Sequence, residues 1–176
     1  MPKIIEHIRE RAIEEARKEL LANGYDALTI RLIAERLGIG LGTFYNYFPS
    51  KDYLAAGVML EDWQNLMKEL ESEFPNRPAA DVLRNLFDKV HEFALRYDPA
   101  WKAYEQHGSG RSIVGKYHST LVGQLAGYIE KAIPAVQQKD EPYLVNFLAE
   151  IILRFGADPD YEYGMIEPAV LKLLKK

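Results

Sequence analysis

The sequence predicts an all-α protein of about nine helices. Apolar residues recur at intervals of three and four along most of its 176 residues, and two-residue alternation is scarce. Glycine and proline separate these periodic stretches, as expected for residues that end helices. With 48% of its residues apolar, the chain has enough hydrophobic side chains to form a core.

The first three predicted helices are closely spaced. Asn23 and Gly24 end the first helix, because glycine readily adopts the left-handed conformation found at helix C-termini. Thr29 is a good N-cap for the second helix, and Gly38 ends it. The third helix is predicted over Leu41 to Phe48, because the residue before Pro49 disfavours helical geometry. The apolar face of the first helix consists of Ile5, Ile8, Ala12, Ala16 and Leu20.

A long fourth helix begins after Ser50, which caps it, with Asp52 in the first turn where the helix dipole favours an acid. A boundary is predicted at 74–78, and Pro99 is expected to break the fifth helix before a short helix around Trp101 and Tyr104. The further predictions are a loop at 108–110, helices over 114–132 and 144–155, a break at 156–159, and a last helix that Pro168 either kinks or begins.

Charge is unevenly distributed along the chain. The net charge is −4, but residues 1–55 hold 8 Lys and Arg against 8 Asp and Glu, so the remainder carries the whole negative charge. A neutral segment can bind nucleic acid if its cations gather on one face, and an acidic remainder is repelled by phosphate. The composition is therefore compatible with a DNA-binding segment at residues 1–55.

The second and third helices have the spacing of a helix-turn-helix, with a turn of about four residues from Gly38 to Leu41. Gly38 allows the sharp bend, and Ile39 is expected to fill the core beneath it. Phe44 and Phe48 lie four residues apart and should point inward. The residues left on the outward face of the third helix are Leu41, Gly42, Tyr45 and Asn46, flanked by Thr43 and Tyr47.

Residues 29–51 resemble the DNA-binding signature of the TetR family, most distinctively in the run Gly-Thr-Phe-Tyr-x-Tyr-Phe-x-Ser-Lys at 42–51. The resemblance covers roughly residues 5–60. It implies a helix-turn-helix domain at 1–51 and a helical ligand-binding and dimerisation domain at 52–176. It also implies a ligand-responsive regulator, usually a repressor, that binds a near-palindromic operator as a homodimer.

The resemblance assigns DNA contacts to individual residues. Thr29 and Arg31 would meet phosphate, and Leu41 and Asn46 would face base edges. Gly42 would permit the helix to approach the DNA closely. The DNA backbone would be bound by Thr43, Tyr45, Tyr47 and Lys51. The family commonly has Ser or Ala where this chain has Gly40, and often a polar or basic residue in place of Leu41. Gly40 and Leu41 thus weaken the helix cap and remove a base contact.

Two alternatives to these assignments remain open. Tyr45 and Tyr47 could be core aromatics, as most aromatic residues at helical spacing are. The whole chain could be a helical ligand-binding and dimerisation protein that does not bind DNA, which the Gly40-Leu41 departure favours. An enzyme is not expected, because no nucleophile motif occurs. No cofactor or metal site is expected either, because His7, His91, His107 and His118 lack the i, i+4 spacing of a zinc site.

The C-terminal residues are expected to bind a small-molecule effector and a second copy of the chain. A pocket that combines aromatic faces with polar tips is predicted from Phe87, His91, Leu95, Trp101, Tyr104, Tyr117 and Tyr128. The apolar stripe from Leu144 to Phe155 predicts a homodimer through the last two helices. No apolar run approaches the roughly 20 residues of a membrane helix, and no secretory signal is recognised. With no cysteine in the sequence, we expect a cytoplasmic protein.

Overall fold

Eight helices make up the regular structure of residues 7–72, 77–106, 110–134 and 141–174, which are the residues that the computed structural model describes. These residues contain no β-strand, so the all-α prediction is confirmed. The helices are α1 Ile8–Ala27, α2 Ile30–Leu37, α3 Leu41–Tyr45, α4 Lys51–Ser72, α5 Ala79–Gln106, α6 Gly110–Glu130, α7 Leu144–Gly156 and α8 Tyr163–Leu174.

The predicted end of the first helix at Gly24 is a break in helical geometry inside α1, whereas α2 begins and ends at the predicted residues. Gly24 has φ 81° and interrupts the helical geometry near the end of α1. Thr29 caps α2 because its Oγ1 accepts a hydrogen bond from the Leu32 backbone N–H at 3.1 Å. Gly38 ends α2 at φ 67°, a left-handed conformation in which glycine carries no Cβ penalty.

The third helix is shorter than predicted. It ends at Tyr45, and Asn46 and Tyr47 form a turn. The Phe48 backbone N–H still bonds to the Phe44 carbonyl at 3.0 Å, so one more turn of helix-like chain leads to Pro49. Ser50 then caps α4 as predicted, since its Oγ accepts from the Tyr53 backbone N–H at 3.3 Å.

Two compact units divide the chain. One contains Met1–Trp63 and Tyr97–Ile113, and the other contains Gln64–Arg96 and Val114–Lys176. The helices α4 and α5 therefore each contribute residues to both units. The predicted boundary after Lys51 divides a DNA-binding function from ligand binding and dimerisation. The two compact units do not test this division, so it stays a prediction.

The predicted break at Pro99 is wrong, because α5 continues through it to Gln106. Proline removes one helical hydrogen bond, here to the Leu95 carbonyl, and a proline inside a helix costs about 3 kcal/mol or more. Pro99 and Leu95 are both exposed, so water can reach that carbonyl. Tyr97 and Ala100 on the other side are buried and hold the helix in place.

Pro168 lies inside α8 rather than in its first turn, which rules out the alternative that it begins the last helix. The helix keeps its place because Tyr163, Ile166 and Val170 are buried along one side. In α7 the buried side is formed by Leu144, Leu148, Ala149, Ile152, Leu153 and Gly156. No helix in the described part of the chain is long and apolar enough to cross a membrane.

Candidate DNA-binding surface

A strip of exposed residues, 41–43 and 45–47, covers the outer side of α3 and is called the recognition strip below. Leu41 is 37% exposed, Tyr45 51% and Tyr47 44%, and Gly42, Thr43 and Asn46 are exposed as well. The alternative in which the two tyrosines belong to the core is therefore wrong.

Two phenylalanines of the same segment are buried and fix the recognition strip to the core. Phe44 and Phe48 are buried, as predicted, and their ring centroids lie 5.6 Å apart. The helix α3 contacts α2, which in turn contacts α1, and the buried side chains of α1 and α2 include Ile13, Ala16, Leu20, Ile33 and Ala34. A five-residue helix is too short to form alone in water, so this packing is what defines the surface.

The predicted contacts outside the recognition strip lie at the starts of α2 and α4. Thr29 and Arg31 are exposed, and the Thr29 hydroxyl can still donate a hydrogen bond while it accepts the one that caps α2. Lys51 is half-buried, with its Nζ 3.9 Å from the centroid of the Tyr25 ring. Gly40 is exposed, and as the N-cap of α3 it makes no side-chain hydrogen bond, in line with the weaker cap inferred from the sequence.

An ion pair between α1 and α2 fixes the first helix-to-helix contact. The Glu19 carboxylate is buried and accepts hydrogen bonds from Arg36 Nη2 at 2.6 Å and from Asn23 Nδ2 at 2.8 Å. These two bonds, led by the one from Asn23, lower the pKa of Glu19 below its ordinary value. Glu19 is therefore ionised at neutral pH and holds α2 against α1.

A second polar cluster fixes α1 against α4. Arg17 donates from Nε to Asp62 at 2.7 Å and from Nη2 to Glu61, and the Tyr97 hydroxyl donates to the other oxygen of Asp62. The hydrogen bonds from Arg17 to the two carboxylates raise its pKa, against the opposing effect of burial. Sequence reasoning missed this cluster, because no local spacing connects Arg17 to partners some 45 residues away.

The cations of the first unit fall into two groups. Arg17, Lys18 and Arg36 pair with carboxylates. Arg31 and Lys51, in contrast, have no carboxylate partner among the described residues. The side chains of Arg31 and Lys51, at the starts of α2 and α4, are thus left to bind phosphate.

The predicted effector residues are only partly brought together. The Phe87 and His91 rings stack with centroids 5.9 Å apart, and His91 Nδ1 lies 3.1 Å from the Gly156 carbonyl oxygen. Tyr128 is buried and donates to the Leu70 carbonyl at 3.2 Å, whereas Leu95 is exposed. Tyr117 is half-buried. Trp101 and Tyr104 are part of α5, but their side chains lie outside the described residues.

Sequence reasoning also missed Tyr163, which lies at the start of α8 beside this pair. Its ring meets Phe87 edge-on at 5.5 Å, and the Arg84 guanidinium lies 4.6 Å from its centroid. Burial raises the pKa of the Tyr163 hydroxyl, and among the described residues that hydroxyl has no hydrogen-bond partner. Phe87, His91 and Tyr163 thus form an aromatic cluster with one unsatisfied donor.

Comparison with known proteins gives the same picture of the N-terminal residues. A family model described as "Bacterial regulatory proteins, tetR family" matches residues 12–58. The HTH-type transcriptional repressor KstR of Rhodococcus jostii is 30% identical over 83 residues, which are 43% of this chain and 37% of the repressor. The chain thus matches between 27% and 37% of the length of its curated relatives.

Two solved structures share the fold over nearly the whole chain. Salmonella enterica GusR superposes with a TM-score of 0.62 at 17% identity, covering 99% of this chain and 100% of its own. The multidrug binding protein EbrR, solved in complex with imidazole, gives a TM-score of 0.55 at 13% identity and covers 97% and 91% of the two chains. At these identities the likeness concerns the fold alone.

Proposed function

Because the chain belongs to the TetR family of bacterial regulatory proteins through its N-terminal helices, we propose that it is a homodimeric repressor whose operator binding is released by a small molecule. The observation that carries the proposal is the recognition strip. It is exposed on a short segment whose other side chains, Phe44 and Phe48, are buried. Arg31 and Lys51, at the starts of α2 and α4, have no carboxylate partner among the described residues.

The proposed DNA contacts follow from the chemistry of each exposed side chain. Asn46 can bond bidentately to adenine, and Leu41 can only offer apolar contact, as to a thymine methyl. Gly42 lets the helix approach the groove closely. The hydroxyls of Thr29, Thr43, Tyr45 and Tyr47, with the cations of Arg31 and Lys51, would bind the phosphates.

Dimerisation is supported by apolar side chains that a single chain leaves in water. Tyr143 beside α7 is 81% exposed, Phe147 in α7 is 53% exposed and Met165 in α8 is 63% exposed. Two copies of α7 and α8 would bury them in a four-helix bundle. A two-fold dimer would read a near-palindrome with half-sites about one helical turn apart, ~34–36 Å.

Ligand release is supported by the aromatic cluster of Phe87, His91 and Tyr163. A buried hydroxyl without a partner is costly, so a ligand that accepts a hydrogen bond from Tyr163 would be favoured there. EbrR, which shares the fold, is a multidrug binding protein, and this is why a small organic molecule is proposed. The ligand would lower DNA affinity only as far as it prefers the conformation that does not fit DNA.

Selection of bound duplexes from random-sequence DNA is the decisive experiment. We expect an enriched near-palindrome, and loss of enrichment in the double variant Tyr45→Ala, Lys51→Ala, whose altered side chains are not buried. Solution scattering would show that this variant keeps the size of the parent protein. If the parent enriches no sequence even at low salt and is still dimeric, the chain is instead a ligand-binding and dimerisation protein without DNA binding.

A further inference from the structure

Arg9, near the start of α1, is a cation that the sequence analysis did not assign to any role. It is exposed, and no carboxylate among the described residues pairs with it. Further along the same helix, Arg17 and Lys18 are both neutralised by carboxylates. The charge of Arg9 therefore remains available to a partner outside the chain.

Arg9 lies with its guanidinium over an aromatic ring of the helix-turn-helix segment. Its guanidinium carbon lies 6.0 Å from the centroid of the Phe48 ring. Phe48 directly follows Tyr47, the last residue of the recognition strip, and is itself buried. The Arg9 guanidinium is thus held next to the C-terminal end of the recognition strip.

Lys51 makes a closer contact of this kind, because its ammonium lies 3.9 Å from the centroid of the Tyr25 ring. A cation on a ring face is attracted electrostatically by the ring, by about 0.5–1 kcal/mol at an exposed site. A guanidinium placed over a ring still presents N–H groups along its edge, and these suit the oxygens of a phosphate. The ring therefore orients the cation without using up its donors.

We propose that Arg9 contacts a DNA phosphate and is one more backbone contact of the protein–DNA complex. The proposal rests on the DNA binding proposed above and deepens it. Arg9 and Lys51 each lie over an aromatic ring of the same unit, at 6.0 Å and 3.9 Å from the ring centroids, and these contacts favour an orientation of both cations before DNA binds. A phosphate contact by Arg9 strengthens binding to every sequence alike and adds nothing to base discrimination.

The test measures DNA affinity as a function of salt, with the best duplex recovered from the random-sequence selection as the probe. Each phosphate contact contributes about 0.9 to the slope of log K against log salt. The proposed homodimer carries two copies of Arg9, so for full-length Arg9→Ala we expect a slope smaller by about 2 and binding roughly tenfold or more weaker at low salt. Arg9→Lys should keep most of the slope, because it keeps the positive charge.

Arg11→Ala is the matched control, because Arg11 is also exposed and its loss changes the net charge equally. Two residues along a helix place Arg11 on a different side of α1 from Arg9. Equal slopes for Arg9→Ala and Arg11→Ala would overturn the contact and leave the DNA-binding proposal standing. If the parent protein shows no salt-dependent binding at all, the DNA-binding proposal fails and the Arg9 contact fails with it.

Discussion

At the scale of single residues, the buried Glu19 carboxylate is the group of the N-terminal helices that depends most on its hydrogen-bond partners. It receives hydrogen bonds from Asn23 on its own helix and from Arg36 on α2. Once a partner of such a carboxylate is lost, the remaining charge is left in a poorly solvated place. The geometry of the helix-turn-helix thus depends on one ionised group.

We expect Glu19 to make the stability of the protein fall in acid. Its pKa is lower in the folded protein than the ordinary 4.5, so its stabilisation is complete at pH values above that figure. The stabilisation disappears as the pH falls through the lowered pKa. Denaturant unfolding of the parent and of Glu19→Gln should therefore differ at pH 7 and converge as the pH falls through the lowered pKa of Glu19. Glu10→Gln is the control for the loss of one carboxylate, because Glu10 is exposed.

Tyr25 is expected to assist DNA binding through Lys51. Replacing it with leucine removes the ring below the lysine ammonium, so Lys51 must be ordered when DNA binds, at a cost of about 0.5–1.5 kcal/mol. Tyr25→Phe keeps the ring and removes the hydroxyl that donates to Asp52.

A double-mutant cycle with Lys51→Ala, read by DNA titration, checks the role of Tyr25. Tyr25→Leu should weaken binding when Lys51 is present and should change little when it is absent. Additive effects of the two substitutions would show that Tyr25 acts only on folding.

Among single residues, the sequence predicts the roles that local chemistry decides. The cap at Thr29, the left-handed Gly38 and the burial of Phe44 and Phe48 all follow from spacing within a few positions. The bond from Arg17 to Asp62 and the burial of Tyr163 join residues that the chain brings together only by folding. No rule of local periodicity contains that information.

At the scale of the elements, Gly156 illustrates how closely two helices can approach. A Cβ added at this position would lie 3.0 Å from Val90 Cγ1 on α5, and the Gly156 carbonyl oxygen lies 3.1 Å from His91 Nδ1. A methyl group here would be closer to Val90 than ordinary van der Waals contact, so Val90 would have to move by a few tenths of an ångström. The sequence suggested only a helix stop at this glycine, because its facing residue could not be known.

Gly156→Ala should lower the free energy of unfolding by roughly 1–3 kcal/mol, because Val90 or the backbone must shift. Gly127→Ala is the matched control, since an added Cβ there meets nothing within 4 Å and the residue is exposed within α6. That change should raise stability by up to about 1 kcal/mol. Thermal and urea unfolding of both variants would check the pair, and equal effects would contradict the close-contact argument.

The helix across Pro99 shows where element prediction fails. The local cost of proline favours a break, yet Tyr97 and Ala100 are buried on either side of it and keep the helix continuous. Tertiary packing outweighs a local preference whenever the unsatisfied carbonyl can be hydrated. At Gly24, by contrast, the local preference of glycine for non-helical geometry agrees with the structure.

At the scale of the whole molecule, a dimer is required for the proposed function, because one short recognition helix reads few bases. Phe147→Asp should weaken self-association by about 2 kcal/mol or more, as a charge would enter the interface. Sedimentation at several concentrations would reveal the shift, and DNA affinity should fall with it. Leu21→Asp, also at an exposed apolar residue but on α1, should leave the association unchanged. Equal behaviour of the two variants would place the interface elsewhere.

The brevity of α3 has a consequence for how the protein opens. A five-residue helix cannot keep its hydrogen bonds once Phe44 and Phe48 leave the core. The recognition strip therefore has no partly folded form of its own. Amide protons at residues 44–48 should therefore exchange with solvent deuterium only as fast as the α1–α2 core unfolds. Any agent that unfolds this core also unfolds the recognition strip.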